Sequence, residues 1–279
     1  MIGPALLAAV AMHSPNACSL PVGWAQIEAR KPHFVIFGET HGTRESPALV
    51  ASVACALSKR GKRLLVAVEL GAETDPQLQM LWARPSEGFR RAVMSQLPYF
   101  AGRQDGVASE AMLNLIDELH ALARAGQNID IVAFSGARDR EQAQRWSHLP
   151  WQAAHEAEQA ENISEAANRR RYSLVLVLAG NAHAQKQVIR GPEEYEYEPM
   201  AMRLAQAGPI VSFIEIYATG TMWNCVAHVC AQRETSGSPV RPRTPIGLWT
   251  SPQRDWLAGY DGYYWFPVVH ASPPASLKQ

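Results

Sequence analysis

Four side chains with acid–base chemistry stand where the chain leaves an apolar run. They are Glu39 and His41 in Gly38-Glu39-Thr40-His41-Gly42, Glu69 in Glu69-Leu70-Gly71, and His183 in Gly180-Asn181-Ala182-His183. Imidazole beside carboxylate suits proton transfer near neutral pH, because the carboxylate orients the ring and tunes its proton affinity. In a metal-free arrangement His41 takes a proton from water, Glu39 or Glu69 orients its ring, and His183 polarises the substrate or donates a proton. The same four residues, Glu39, His41, Glu69 and His183, are also a donor set for a divalent ion such as zinc, manganese, cobalt or iron. In zinc sites the bound water reaches a pKa of about 7. Either arrangement points to hydrolysis. No Gly-x-Ser-x-Gly turn occurs, so a serine nucleophile is not expected, and Cys55, on the apolar face of a helical stretch, is a poor nucleophile.

Three further residues are candidates for substrate binding. Arg138 and Asp139 follow another apolar run in Gly136-Ala137-Arg138-Asp139, where they suit an anionic group or equally an ordinary charged helix start. Asn181 shapes the turn that aims His183. Arg44 and Glu45 read as a pair, while His120 and His155 fall within helices as surface or packing residues. His33, His148, His228 and His270 have no partner legible in the sequence.

Positioning these groups requires strands that end together. Short apolar runs alternate with helical stretches: 33–38, 63–71, 129–136, 173–181 and 208–217 read as strands. Between them, a helix with Ser46 as N-cap and Pro47 in its first turn ends at Gly61, with Val50, Val53, Ala54 and Leu57 on one face. Further helical stretches cover 76–94, 109–125, 155–171 and 198–208, and the last strand lies in the tail after Tyr260. Such alternation predicts an α/β fold, one domain with a mostly parallel central sheet covered on both faces. In that architecture ligands bind beyond the carboxyl ends of the strands, where all the candidate residues fall.

With 279 residues, 47% of them hydrophobic, the chain is long enough for one large core. Twenty-six basic residues balance 26 acidic ones, so no field for nucleic acid or an anionic membrane is present, and a small-molecule or peptide substrate is the expected partner. Residues 1–17 carry a short apolar stretch and then a Ser/Pro/Asn break, the form of an export signal too short to span a bilayer. A single domain over 18–279, periplasmic or secreted, is therefore expected. Cys225 and Cys230 are close enough for a local disulfide, which leaves Cys18 and Cys55; four buried thiols are the alternative.

The segment GETHGTRES resembles the Gly-Glu-x-x-His-Gly opening of erythromycin esterase-like proteins and of the related ChaN-like and TraB/TIKI-like domains. LLVAVELG is similar to their second strand ending in Glu, LAGNAHAQK to a later strand ending in an Asn-x-His turn, and YDGYYWFPVVHASPPA to their closing strand. The match covers roughly residues 32–217 plus the tail. It implies a hydrolase acting on an ester or amide in a modest-sized substrate through Glu39, His41, Glu69 and His183. The esterase branch implies a metal-free site, and the TIKI branch a metalloprotease. The ChaN branch implies the alternative of a haem- or iron-binding periplasmic protein without hydrolytic activity, with Tyr260, Tyr263 and Tyr264 as contacts.

Overall fold

The first strand, β1 (Phe34–Glu39), is aromatic and β-branched up to its last two residues and buried along its whole length, as a strand covered on both faces must be. Val35 and Phe37 enter one apolar cluster, Phe34 and Ile36 the other, which is the period of two that a pleated strand imposes. This computed structural model describes residues 18–191, 195–253 and 255–278. The expected signal segment lies outside them.

Along the chain the elements are α1 (Trp24–Ala29), β1, α2 (Glu45–Lys59), β2 (Leu64–Gly71), α3 (Asp75–Trp82), α4 (Phe89–Gln96), α5 (Pro98–Gly102), α6 (Glu110–Arg124) and β3 (Ile129–Ser135). There follow α7 (Arg140–Trp146), α8 (Trp151–Asn168), β4 (Leu174–Gly180), β5 (Ile189–Arg190), β6 (Glu196–Tyr197), α9 (Met200–Leu204), β7 (Ile210–Val226), β8 (Val229–Ser236), β9 (Ile246–Leu248) and β10 (Gly262–Val269). The central sheet runs β3-β2-β4-β1-β7-β10-β9, and β8 pairs with β7. All pairings are parallel except β10 with β9 and β7 with β8. The expected α/β fold with a mostly parallel sheet is what forms. Residues of α2 and α6 pack one face, and residues of α8 and α9 the other.

Local chemistry accounts for where the elements depart from expectation. The helical stretch at 76–94 is two helices, because Pro85 and Gly88, the latter at φ 73°, interrupt it. Ser46 does not cap α2, which starts one residue earlier. Its buried hydroxyl lies 3.0 Å from the Tyr264 hydroxyl of β10 instead, so tertiary packing displaces the capping role. The expected strand 208–217 continues to Val226 and turns back as β8, and Cys225 and Cys230 are bonded across that hairpin. Cys18 is bonded to Cys55, which ties the start of the described chain to α2. Both cysteine pairs are disulfides rather than buried thiols.

Candidate functional site

β1 and β4 lie side by side with Glu39 opposite Gly180. From β1 the chain crosses one face of the sheet through α2 to β2, whereas from β4 it crosses the opposite face through α9 to β7. The two connections leave neighbouring strands on opposite faces and open a crevice beyond the two carboxyl ends, the switch point at which such sheets bind ligands. Glu39 and His41 come from one lip and His183 from the other. Glu69 reaches in from the end of β2, where its Oε2 accepts the Gly180 N–H at 2.6 Å.

These four side chains form one cluster. His41 Nδ1 is 2.8 Å from Glu39 Oε1, and His41 Nε2 is 3.5 Å from Glu69 Oε2. On the other side of the same carboxylate, His183 Nε2 is 3.5 Å from Glu69 Oε1. His183 Nδ1 is 2.7 Å from Glu156 Oε1, and Gln159 Nε2 stands 3.5 Å from the same ring nitrogen. Each imidazole is thus held on its Nδ1 side by one carboxylate and presents Nε2 to a shared one. The His41 and His183 side chains are 27% and 19% exposed, against 3%, 8% and 4% for Glu39, Glu69 and Glu156, so the rings are the solvent-reachable members. A backbone without a side chain at Gly180 allows this approach: a Cβ there would lie 2.7 Å from His41 Nε2 and 3.5 Å from His183 Cδ2.

Burial alone would push both imidazoles towards their neutral forms. The Glu69 charge, with Glu39 on one side and Glu156 on the other, outweighs it. His41 is held well above its ordinary value and His183 is raised to about 10. Desolvation would raise Glu69, but the two imidazolium neighbours overcome it and hold the carboxyl well below its ordinary range. His155, whose ring centre is 5.8 Å from that of His183, is lowered by burial first and by the His183 charge second.

Two carboxylates were not legible as site residues. Glu156 belongs to α8, a helix that reads as polar; its Oε2 accepts the Met200 N–H at 2.7 Å. Ala153, Ala157, Ala160 and Ile163 are buried on that helix, and Glu156 interrupts this apolar stripe, which is the mark it leaves in the sequence. Glu215, from β7, lies beneath the β1 turn, where it accepts the Thr40 N–H at 2.6 Å. The Thr43 hydroxyl is 3.4 Å from its other oxygen. Burial first, with Glu39 nearby, raises Glu215 to about 8. That turn also needs Gly42: φ is 81°, and a Cβ would sit 2.1 Å from the Trp223 carbonyl of the β7–β8 hairpin.

Other expected residues take different places. Arg138 binds Glu161, Glu165 and Asn162 of α8, and Asp139 caps α7 by accepting the Gln142 N–H at 2.8 Å. Their contacts are with helices rather than with the histidine cluster. The Asn181 side chain reaches across to the β1 turn rather than into its own: its amide nitrogen is 3.4 Å from the Thr40 hydroxyl, and its Oδ1 is buried without a hydrogen-bond partner among the described residues, as is Glu39 Oε2. Glu45 pairs with His270 at 2.7 Å while the Arg44 side chain bonds the Ala271 carbonyl. His120 is a packing residue, stacked on Phe89 at 3.6 Å. Tyr264 and Tyr260 donate to the Gly38 and Asn181 carbonyls at 2.8 and 2.7 Å, and Tyr263 lies 3.0 Å from the Thr244 hydroxyl. All three therefore serve the fold.

As a metal centre the four residues do not fit as placed. Carboxylate–imidazole pairing at Nδ1 is the outer half of many metal sites, and two Nε2 atoms beside Glu69 have the right donor chemistry. Glu39, however, sits on the far side of the His41 ring. Among the described residues no three His, Cys, Asp or Glu side chains are arranged to hold one ion.

No protein-family profile and no curated protein sequence matches the chain. Solved structures do share its fold. A succinoglycan biosynthesis protein superposes with a TM-score of 0.60 at 11% identity, over 89% of this chain and 91% of that one. A Bacillus cereus protein gives 0.60 and 11%, over 93% and 95%. The erythromycin esterase EreC, in its open conformation, gives 0.60 and 11%, over 86% and 91%. The fold expected from the esterase-like resemblance is the fold found.

Proposed function

We propose that this chain is an exported hydrolase that cleaves an ester or amide of modest size with a metal-free pair of histidines. The observation that carries the reading is the shared Glu69, faced by the Nε2 atoms of His41 and His183 while separate carboxylates hold both Nδ1 atoms. The fold shared with an erythromycin esterase agrees with it. Both disulfides and the apolar amino end support a periplasmic or secreted location.

His41, once deprotonated, takes a proton from water through Nε2 as the water oxygen attacks the carbonyl carbon. His183 gives its Nε2 proton to the leaving oxygen or nitrogen as the bond from the carbonyl carbon breaks, which yields an acid and an alcohol or amine. The proton gained by His41 is exchanged with solvent, and His183 is reprotonated. Glu69 steadies positive charge on whichever ring carries it. The mechanism needs His41 without its proton and His183 with one, so activity rises as His41 deprotonates, which its raised proton affinity delays to higher pH, and falls as His183 loses its proton near pH 10.

A panel of activated esters and short peptides tests the reading: turnover disappears in His41→Ala and in His183→Ala while each variant keeps the native circular dichroism. Stoichiometric zinc or manganese in the active protein, lost on either substitution, would overturn the metal-free form. A Soret band on adding haem, with no turnover, would replace the hydrolase with the haem binder.

A further inference from the structure

Trp151 is the first residue of α8 and is 72% exposed, an expensive place for an indole that a core would otherwise bury. Its ring lies over that of His155, one turn along the helix, with centres 5.6 Å apart and planes at 15°. The His155 ring lies 5.8 Å from His183. Thus a solvent-facing indole is joined to the histidine cluster by a single intervening ring, and a rigid helix sets the spacing. Tyr195 and Tyr197, 5.9 Å apart, stand close by, and the Tyr195 hydroxyl bonds the side chain of Gln152, the residue after Trp151.

We infer that Trp151 and His155 form a stacking subsite for a planar aromatic ring on the leaving-group side of the substrate. The inference rests on the hydrolase reading for which side of the scissile bond the ring occupies; the platform itself does not. Its adjacency to His183, the group that protonates the leaving atom, places the ring on that side. A sugar would need hydroxyl partners at the platform, and Gln152 and Tyr195, the polar pair beside Trp151, are bonded to each other. A planar aromatic ring needs only the exposed indole face.

Benzyl acetate and ethyl acetate place a ring or none on the leaving group, and ethyl phenylacetate moves the ring to the acyl side. Wild-type protein prefers the benzyl ester in kcat/KM. Trp151→Leu reduces that preference about two- to tenfold, the worth of one aromatic pair, with ethyl acetate unchanged, and Trp151→Phe retains it. In parallel, saturation-transfer NMR detects benzyl alcohol on the wild-type protein and not on Trp151→Leu. Benzyl alcohol binding lost in the variant, with no ester cleaved by either protein, would keep the platform and sink the hydrolase. Equal benzyl preference and equal binding in wild type and Trp151→Leu would overturn the subsite. A loss confined to ethyl phenylacetate would overturn its placement on the leaving-group side.

Discussion

Glu156 grips His183 from 27 residues away in sequence: its Oε1 is 2.7 Å from the ring Nδ1 while its Oε2 accepts the Met200 N–H. One carboxylate thereby fixes the ring and anchors the start of α9. The second bond orients the first, because a carboxylate held at both oxygens cannot swing away when His183 changes charge. Glu39 serves His41 in a different way, two residues off on the same turn.

Glu156→Gln separates charge from shape. The amide fills the same space, but the Coulombic support that helps raise His183 to about 10 is gone. The His183 ring proton is expected to titrate at lower pH by NMR, and the alkaline limb of the pH–rate profile to move down with it. A fall in kcat of at least about tenfold is expected. If the titration stays in place, Glu156 only packs α8 against α9.

How much of the fold and site is legible in the sequence depends on distance along the chain. Strand ends announce themselves, because a buried apolar run that stops at glycine and a charged group marks the edge where a parallel sheet opens to ligand. Glu39, His41, Glu69 and His183 are legible in that way. Glu156 and Glu215 are not, since each lies inside an element whose pattern describes packing rather than the contacts of one carboxylate. Glu215 is the sixth residue of β7, and only the pairing of β7 with β1 brings it under the Thr40 turn. Arg138 and Asp139 show the converse: a strand end supplies the position, and the neighbouring helices take the side chains. Ser46 has the form of a cap and is claimed by Tyr264 instead.

Gly180→Ala adds one methyl group where His41 Nε2 stands 2.7 Å from the added carbon. Backbone on the inner strand β4 cannot yield readily, so the ring must. A displacement of that kind costs on the order of a hundredfold in rate, with little change in overall secondary structure. Turnover within a few-fold of wild type would show that the approach of His41 to Gly180 is not needed for catalysis.

The two disulfides should differ in worth. Cys18 and Cys55 are 37 residues apart and Cys225 and Cys230 only 5, and the chain-entropy cost that a bridge removes from the unfolded state grows with loop length. Losing the first costs about 4 kcal/mol and losing the second about 2 kcal/mol. Denaturant titration of Cys18→Ala/Cys55→Ala and of Cys225→Ala/Cys230→Ala, against wild type under non-reducing conditions, compares them. A larger loss from the hairpin pair would reverse the order and point to a packing role at the tip.

Stability against pH follows from the cluster, with the sign set by each group. His183 is raised from 6.5 to about 10, so the folded state holds a proton that the unfolded chain releases. The stability this supplies is complete below about pH 6.5 and is lost as pH rises to about 10. His41, also raised, acts in the same direction. Glu215, raised from 4.5 to about 8, adds a decline that begins lower, because the unfolded carboxyl ionises first. Glu69 is depressed, so its contribution is present above pH 4.5 and lost in acid. Denaturation midpoints should therefore peak between about pH 4.5 and 6.5 and fall steadily towards pH 10. Glu215→Gln should flatten the decline between pH 4.5 and 8, and His183→Gln the part between 6.5 and 10. Midpoints that hold level from pH 6.5 to 10 in wild type would show that these histidines fold without their protons, and the acid assigned to His183 would have to be sought elsewhere.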